Sequence, residues 1–347
     1  LSISVDGKFY ICGVLSLEDY SQLYQSHNDY FLFGNGLSIG FCESFKYSSL
    51  YKVCSGEEDG FDAIFSDKEI ELFNGFRTEN FEWVLYALNL AEDVNAIVEV
   101  DGKPIREHYN NIKQALLKAV HKVHIKYEDT DFEEIELLNN LFKKFNKGIF
   151  TTNYDLIPYW TLNHNTDGLC DVFFGSNSTF DVTNTEVRDY NTPIYFLHGA
   201  LHLYREDGVT IKLRRNQGTD LLTRIEQTMT ESKTPLFVSE GRNEQKLKSI
   251  ASNDYLNHCY NQLKNASGGI TIFGSRLGSE DKHIIEAIKH SNIRNIAYSI
   301  YMNNDEVTRE IEVTVAKIRR EFAHKNVKFF KHGSFLDYFK KEIQVNQ

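Results

Sequence analysis

The stretch Lys147-Gly-Ile-Phe-Thr-Thr-Asn-Tyr-Asp155 decides how this chain folds. Its first half is a short apolar run of the kind that forms a buried strand. Its second half, Thr151 to Asp155, is polar and follows with no Gly or Pro turn between them. An Asn and an Asp two residues apart, at the carboxyl edge of a parallel sheet, face the place where open α/β folds bind ligands. Three more apolar runs end in similar punctuation: Gly34-Asn35-Gly36 after Tyr30-Phe-Leu-Phe33, His198-Gly199 after Pro193-Ile-Tyr-Phe-Leu197, and Gly274-Ser275 after Ile270-Thr-Ile-Phe273. Four converging strand ends predict a nucleotide site.

Working outward, apolar runs occur at 148–151, 171–175, 194–197, 236–239, 270–273, 296–301 and 326–330. Helical patterns near 244–264, 280–290 and 304–324 alternate with them. That alternation predicts an α/β fold with a Rossmann-like, mostly parallel sheet and helices on both faces. The segment 42–146 is different. Phe81, Val84, Leu85 and Leu88 recur at helical spacing, as do Ile112, Ala115, Leu116 and Val120, and then Ile135, Leu138, Leu141, Phe142 and Phe145. Thr130 or Asp131 can cap the last of these helices. The segment is too long for one crossover helix, so it reads as a helical insertion or small helical lobe after the first strand. The expected division is a Rossmann-like domain of residues 1–41 and 147–347, with 42–146 as the insertion. No internal repeat is visible.

The length of 347 residues exceeds the ~250–300 at which a single core stops growing, which suits one large domain with an insertion or two lobes. A formal net charge of −11 argues against a broad basic face for nucleic acid, leaving only a local groove open. The five cysteines are scattered without a CxxC pair, so no structural zinc and no other metal site is expected, and a reducing cytoplasmic setting fits. No run of 18 apolar residues and no leader-like N-terminus is present, so no membrane association is expected.

Each candidate has two readings. Glycines 34 and 36 let backbone approach a pyrophosphate at a helix N-terminus, or they make a tight turn. The third glycine of the usual dinucleotide fingerprint is missing. Asn153 and Asp155 contact a ligand, or they form an Asx turn that opens a helix. His198 is a general base or a histidine bonded beneath a loop, with His202 its nearest competitor. Gly274 and Ser275 touch phosphate or ribose, or they form an ordinary turn, and Ser279-Glu-Asp281 reads as the cap of the next helix.

Taken in order, Gly34-Asn-Gly-Leu-Ser38, Thr151-Thr-Asn-Tyr-Asp155, Leu197-His-Gly199 and Phe273-Gly-Ser-Arg-Leu277 resemble the sirtuin-like superfamily. The likeness is closer to its bacterial NAD-consuming branch in anti-phage defence, and Phe237-Val-Ser-Glu-Gly241 looks like a further element of that branch. The resemblance spans roughly residues 30 to 300. It implies an NAD+ hydrolase that cleaves the nicotinamide–ribose bond, giving nicotinamide and ADP-ribose. Asn153 would hold the ribose and position a water, Asp155 would bind the carboxamide or steady the site, and His198 would be the base. Gly34, Gly36 and Ser38 would cradle the pyrophosphate, with Gly274 and Ser275 near the adenosine ribose. Further cofactor contacts would come from Asn35, Thr152, Ser239 and Leu277. Two departures matter: the zinc ribbon of deacylating sirtuins is absent, and so is their Pro-Asp-Phe-Arg element after Gly36. Both favour simple hydrolysis over deacylation. The rivals are a nuclease effector on the same scaffold and an NAD or ADP-ribose sensor without catalysis. The resemblance also implies control by assembly, as a homo-oligomer or with a HerA-type hexameric ATPase.

Overall fold

The computed structural model describes residues 2–5, 8–11, 17–214, 219–230, 233, 235–238, 243–278, 281–302 and 308–345. Strands β1 (Ser2–Val5) and β2 (Lys8–Ile11) pair antiparallel, and the short strand β3 (Leu17–Glu18) and helix α1 (Tyr20–His27) follow. Strand β4 (Tyr30–Phe33) runs into α2 (Asn35–Phe41). Five further helices come next: α3 (Tyr47–Ser55), α4 (Asp67–Phe76), α5 (Phe81–Ile97), α6 (Lys103–Val123) and α7 (Phe132–Phe142). Asp131 caps α7, its carboxylate accepting from the N–H groups of Glu133 and Glu134. The chain then forms β5 (Gly148–Thr151), α8 (Ile157–His164), β6 (Leu169–Cys170) and β7 (Thr192–Phe196).

A small antiparallel unit follows, made of β8 (Gly199–Glu206), β9 (Val209–Lys212) and, after α9 (Leu221–Thr230), β10 (Pro235–Phe237). The last part is α10 (Asn243–Ala251), α11 (Asp254–Lys264), β11 (Ser267–Phe273), α12 (Lys282–His290), β12 (Asn292–Ile300), α13 (Arg309–Glu321), β13 (Asn326–Lys331) and α14 (His332–Val345).

Eight strands form one sheet in the order β3-β13-β12-β11-β4-β5-β7-β6, and every neighbouring pair is parallel. The fold is therefore Rossmann-like α/β. A parallel sheet covered on both faces needs strands that are apolar on both sides, and Ile149 and Phe150 in adjacent positions meet that need. From β4 the chain moves outward to β5 on one side, whereas β11 and its successors occupy the other side. The carboxyl ends of β4 and β11 thus meet at the topological switch point, where open α/β sheets bind ligands.

One face carries Phe31, which stacks on Phe145 (4.7 Å) and Phe335 (5.3 Å) beneath α7 and α14. The other carries Phe150 and Tyr195 (5.3 Å apart), the latter facing His258 of α11. Helices α3 to α7 share one contiguous apolar core with the sheet, through residues such as Leu116, Leu138 and Phe142.

Three readings change. The run 171–175 is not a strand: β6 stops at Cys170, because the Asp171 carboxylate accepts from Phe173 N–H and turns the chain. The pattern at 244–264 is two helices, broken at Ser252 and restarted by Asn253, whose side chain accepts from Leu256 N–H. The antiparallel unit is additional. Its β8–β9 turn is Asp207-Gly208, both at positive φ (49° and 84°), the residue pair that type I′ hairpins favour.

Helix α1 locks onto the sheet through Tyr20, whose ring contacts Phe330 (4.9 Å) and Phe335 (4.7 Å). Its hydroxyl lies 2.8 Å from Thr271 Oγ1, and that hydroxyl in turn donates to His27 O. Tyr20→Phe removes one bond and leaves the Thr271 donor satisfied, so urea unfolding should show a loss of about 1 kcal/mol. Tyr20→Ala empties the ring's place and should cost about 3–5 kcal/mol.

Candidate functional site

The loop after β4 and the loop after β11 touch backbone to backbone. Gly34 N–H donates to Phe273 O (3.1 Å), Gly36 N–H to Gly274 O (2.9 Å), and Leu37 N–H to Gly34 O (3.0 Å). A Cβ on Gly36 would lie 2.6 Å from Gly274 Cα, so what this glycine admits is the neighbouring loop. Its amide and that of Gly34 are engaged in that contact, not presented to a phosphate. Asn35 is tied away from the loop crossing, its Nδ2 donating to Phe45 O at 2.8 Å.

Ser38, one helical turn further, is buried beneath β5's polar end. Its hydroxyl accepts from Asn153 Nδ2 at 2.7 Å and also bonds the Asp155 carboxylate. Asn153 is 4 % exposed, its N–H donates to Thr151 Oγ1 (3.0 Å), and its Oδ1 is buried with no hydrogen-bond partner. Asp155 accepts from Ile157 N–H at 2.9 Å and so opens α8, while burial pushes its carboxyl up to about 6, against the pull of Ser38 and that N–H. The turn that opens a helix is the reading of Asp155 that these bonds bear out. The start of α8 is held from the helical segment as well: Leu156 N–H donates to His124 Nε2 at 2.8 Å. Thr152, half-buried, donates its N–H to Phe33 O (3.2 Å).

At the end of the adjacent strand β7, His198 is buried, its ring 6.3 Å from that of Tyr154. Its Nε2 lies 2.8 Å from His283 Nε2, on α12, and 4.0 Å from an Asp281 carboxylate oxygen. Burial holds the His198 imidazole neutral well below its ordinary range, and the charge of Lys246 and the His283 ring add to this. The Asp281 contact is consequently an orienting one and not an ion pair. The 2.8 Å contact needs a proton on one of the two Nε2 atoms; with it on His198, Nδ1 is a lone pair. Nδ1 is buried with no hydrogen-bond partner.

Strand β10 closes this side. Val238 N–H donates to His198 O (2.9 Å), and Tyr154 O–H donates to Val238 O (2.9 Å). Gly199, at φ +82°, permits it: a Cβ there would sit 2.0 Å from Leu236 O. Ser275 accepts Tyr298 O–H on its carbonyl (2.7 Å), and Leu277 is buried at φ +44°. Ser239, with the cap residues Ser279 and Glu280, lies outside the described residues, as does Cys12.

The ends of β4, β5, β7 and β11 thus gather Gly34, Gly36, Ser38, Thr152, Asn153, Asp155, His198, Gly274, Ser275 and Leu277. His202 is not among them. It packs between Tyr159 (4.2 Å) and Phe196 (5.0 Å), and both its ring nitrogens are buried without partners. Sequence reasoning missed His283 and Lys246 and gave Asp281 only a capping role; the Asp281 side chain makes no cap hydrogen bond. The only sign of His283 was its place on the first turn of a helix after a Gly-Ser strand end. Among the described residues no group of three His, Cys, Asp or Glu side chains is placed to hold a metal, and no helix is long and apolar enough to cross a membrane.

A family model described as a domain of unknown function (DUF4917) matches residues 31–335. The chain belongs to that family. The DUF4917 match begins inside β4 and ends inside α14, so all four strand ends of the site lie within it. Among curated proteins none matches the chain.

Burial lowers the folded-state values of His198 and His202 far below the ordinary imidazole range and those of His124 and His332 to about 4. Unfolded, each would take up a proton near 6.5, so stability falls as pH drops through that value. Asp155, raised to about 6, opposes this as pH falls from 6 towards 4, but the lowered histidines outnumber it. Thermal melts should show a lower Tm at pH 5 than at pH 7.5, at up to about 1.4 kcal/mol per pH unit per histidine. His202→Phe should flatten part of that slope.

Proposed function

We propose that this chain is an NAD+ glycohydrolase. The observation that carries the reading is a pair of buried, unpartnered polar atoms, Asn153 Oδ1 and His198 Nδ1, at adjacent strand ends beside the switch point. A buried acceptor without a partner costs about 1–3 kcal/mol. Two such atoms on neighbouring edges suit a ligand that brings its own hydroxyls, as a ribose does. The ordered motifs that resemble the NAD-consuming sirtuin-like branch name which ribose.

In the reaction the C1′–N1 bond breaks and its electron pair passes to the pyridinium ring, releasing neutral nicotinamide. Water oxygen bonds to C1′, and the water's proton leaves to a base. Asn153, its amide clamped by Ser38, presents Oδ1 to the water or to a ribose hydroxyl. His198 is neutral and so is able to take the proton. The Asp155 carboxylate lies one hydrogen bond behind Asn153, through Ser38, and favours the oxocarbenium-like charge that develops at C1′.

Asn153→Ala should lower nicotinamide release on the order of 100-fold or more, with the melting temperature nearly unchanged. Chromatographic product analysis settles it, and unchanged turnover would reject the assignment. The pH profile offers a second check. His198 contributes no titration near 6.5, whereas Asp155 loses its charge below about 6. Activity should therefore fall with a midpoint close to 6 in the native chain, and Asp155→Asn should be slow and flat across the same range.

A further inference from the structure

Helix α10 packs against α11 and α12, and it carries Lys246, which is 1 % exposed. Its ammonium nitrogen is buried with no hydrogen-bond partner, and no carboxylate among the described residues pairs with it. A lysine is almost never buried without a partner, because the charge loses its water and needs a counter-charge to offset that loss. Lys246 is also not remote from the candidate site: its helix packs on α12, whose His283 bonds the His198 imidazole. The loop amides of Gly34 and Gly36, the usual donors to a phosphate, are engaged with Phe273 and Gly274. A nucleotide placed at Asn153 and His198 therefore draws its cation from elsewhere, and Lys246, with no carboxylate partner among the described residues, lies on the helix packed against that of His283.

We propose that Lys246 is the anion-binding residue of this site, receiving a phosphate group of a nucleotide whose ribose lies at Asn153 and His198. The choice of nucleotide rests on the hydrolase reading, while the need for an anion rests on Lys246 alone. A point-charge ammonium with three rotatable donors suits a phosphate oxygen. It does not suit the cationic nicotinamide ring, so Lys246 marks the phosphate side of the ligand.

The test is calorimetric titration of the full chain, native and Lys246→Met, with ADP-ribose, adenosine and inorganic pyrophosphate. Lys246→Met should weaken ADP-ribose about tenfold or more and leave adenosine unchanged, and Lys246→Arg should retain most of the affinity. Pyrophosphate alone binding as tightly as ADP-ribose would assign the site to free phosphates and overturn the nucleotide part. Without ligand, Lys246→Met should melt at the same temperature or higher, since it removes an uncompensated buried charge. A lysine with a structural role would give the opposite shift. Equal ADP-ribose affinity in Lys246→Met overturns the proposal. So does failure of millimolar ADP-ribose to raise the melting temperature of the native chain, a result that needs no variant to fold. ADP-ribose binding that depends on Lys246, without nicotinamide release, would reject the hydrolase and keep the anion site. Nicotinamide release with unchanged affinity in Lys246→Met would do the reverse.

Discussion

The hydrogen bond from Gly36 N–H to Gly274 O, at 2.9 Å, is the constraint on which the site's geometry depends. It joins the two loops at the switch point and fixes where α2 begins. From that start, Ser38 falls one turn along the helix and meets Asn153 from below. The approach requires that neither glycine carry a side chain: a Cβ on either residue would come within 2.8 Å of the other's backbone. Gly274 also adopts φ +61°, which side chains other than glycine's rarely tolerate. The close approach that glycines permit at the strand ends of many nucleotide-binding folds is used here, between the two loops themselves.

Around that fixed point the site is buried and polar. A neutral imidazole and a carboxyl raised to about 6 lie at adjacent strand ends, with a buried lysine on the helix packed against α12. In a low-dielectric setting each polar atom left without a partner destabilises the folded chain. The unpartnered atoms of Asn153 and His198 nonetheless fall at the ends of adjacent strands, and that of Lys246 on the helix packed against α12, whereas those of His202 lie between aromatic rings.

Much of the architecture is legible in the chain. Tyr30–Phe33, Gly148–Thr151 and Asn326–Lys331 are strands where the apolar runs place them, and Asp131, one of the two residues read as able to cap α7, does so. Other parts were hidden for identifiable reasons. Asp171 looks like the start of an apolar run, but its carboxylate bonds the backbone two residues on. Strands β8 and β9 follow so closely on His198-Gly199 that a strand end masks a second beginning; Asp207-Gly208 was the available signal. Ser252 and Asn253 divide a helical pattern whose periodicity continues across the break.

For the site, local sequence was enough to mark Asn153, Asp155 and His198, because a polar residue directly after a buried strand has few places to point. It also determined the parallel sheet, since strands apolar on both sides need helices on both faces. Only the tertiary structure decided the partners. His283 and Lys246 lie on helical turns whose sequence looks like any amphipathic surface, and they are separated from His198 by 85 and 48 positions. What gives them meaning is burial where α10 packs on α12, whose His283 bonds His198 at the end of β7. That burial takes an imidazole and an ammonium out of water, and no one-dimensional pattern records it.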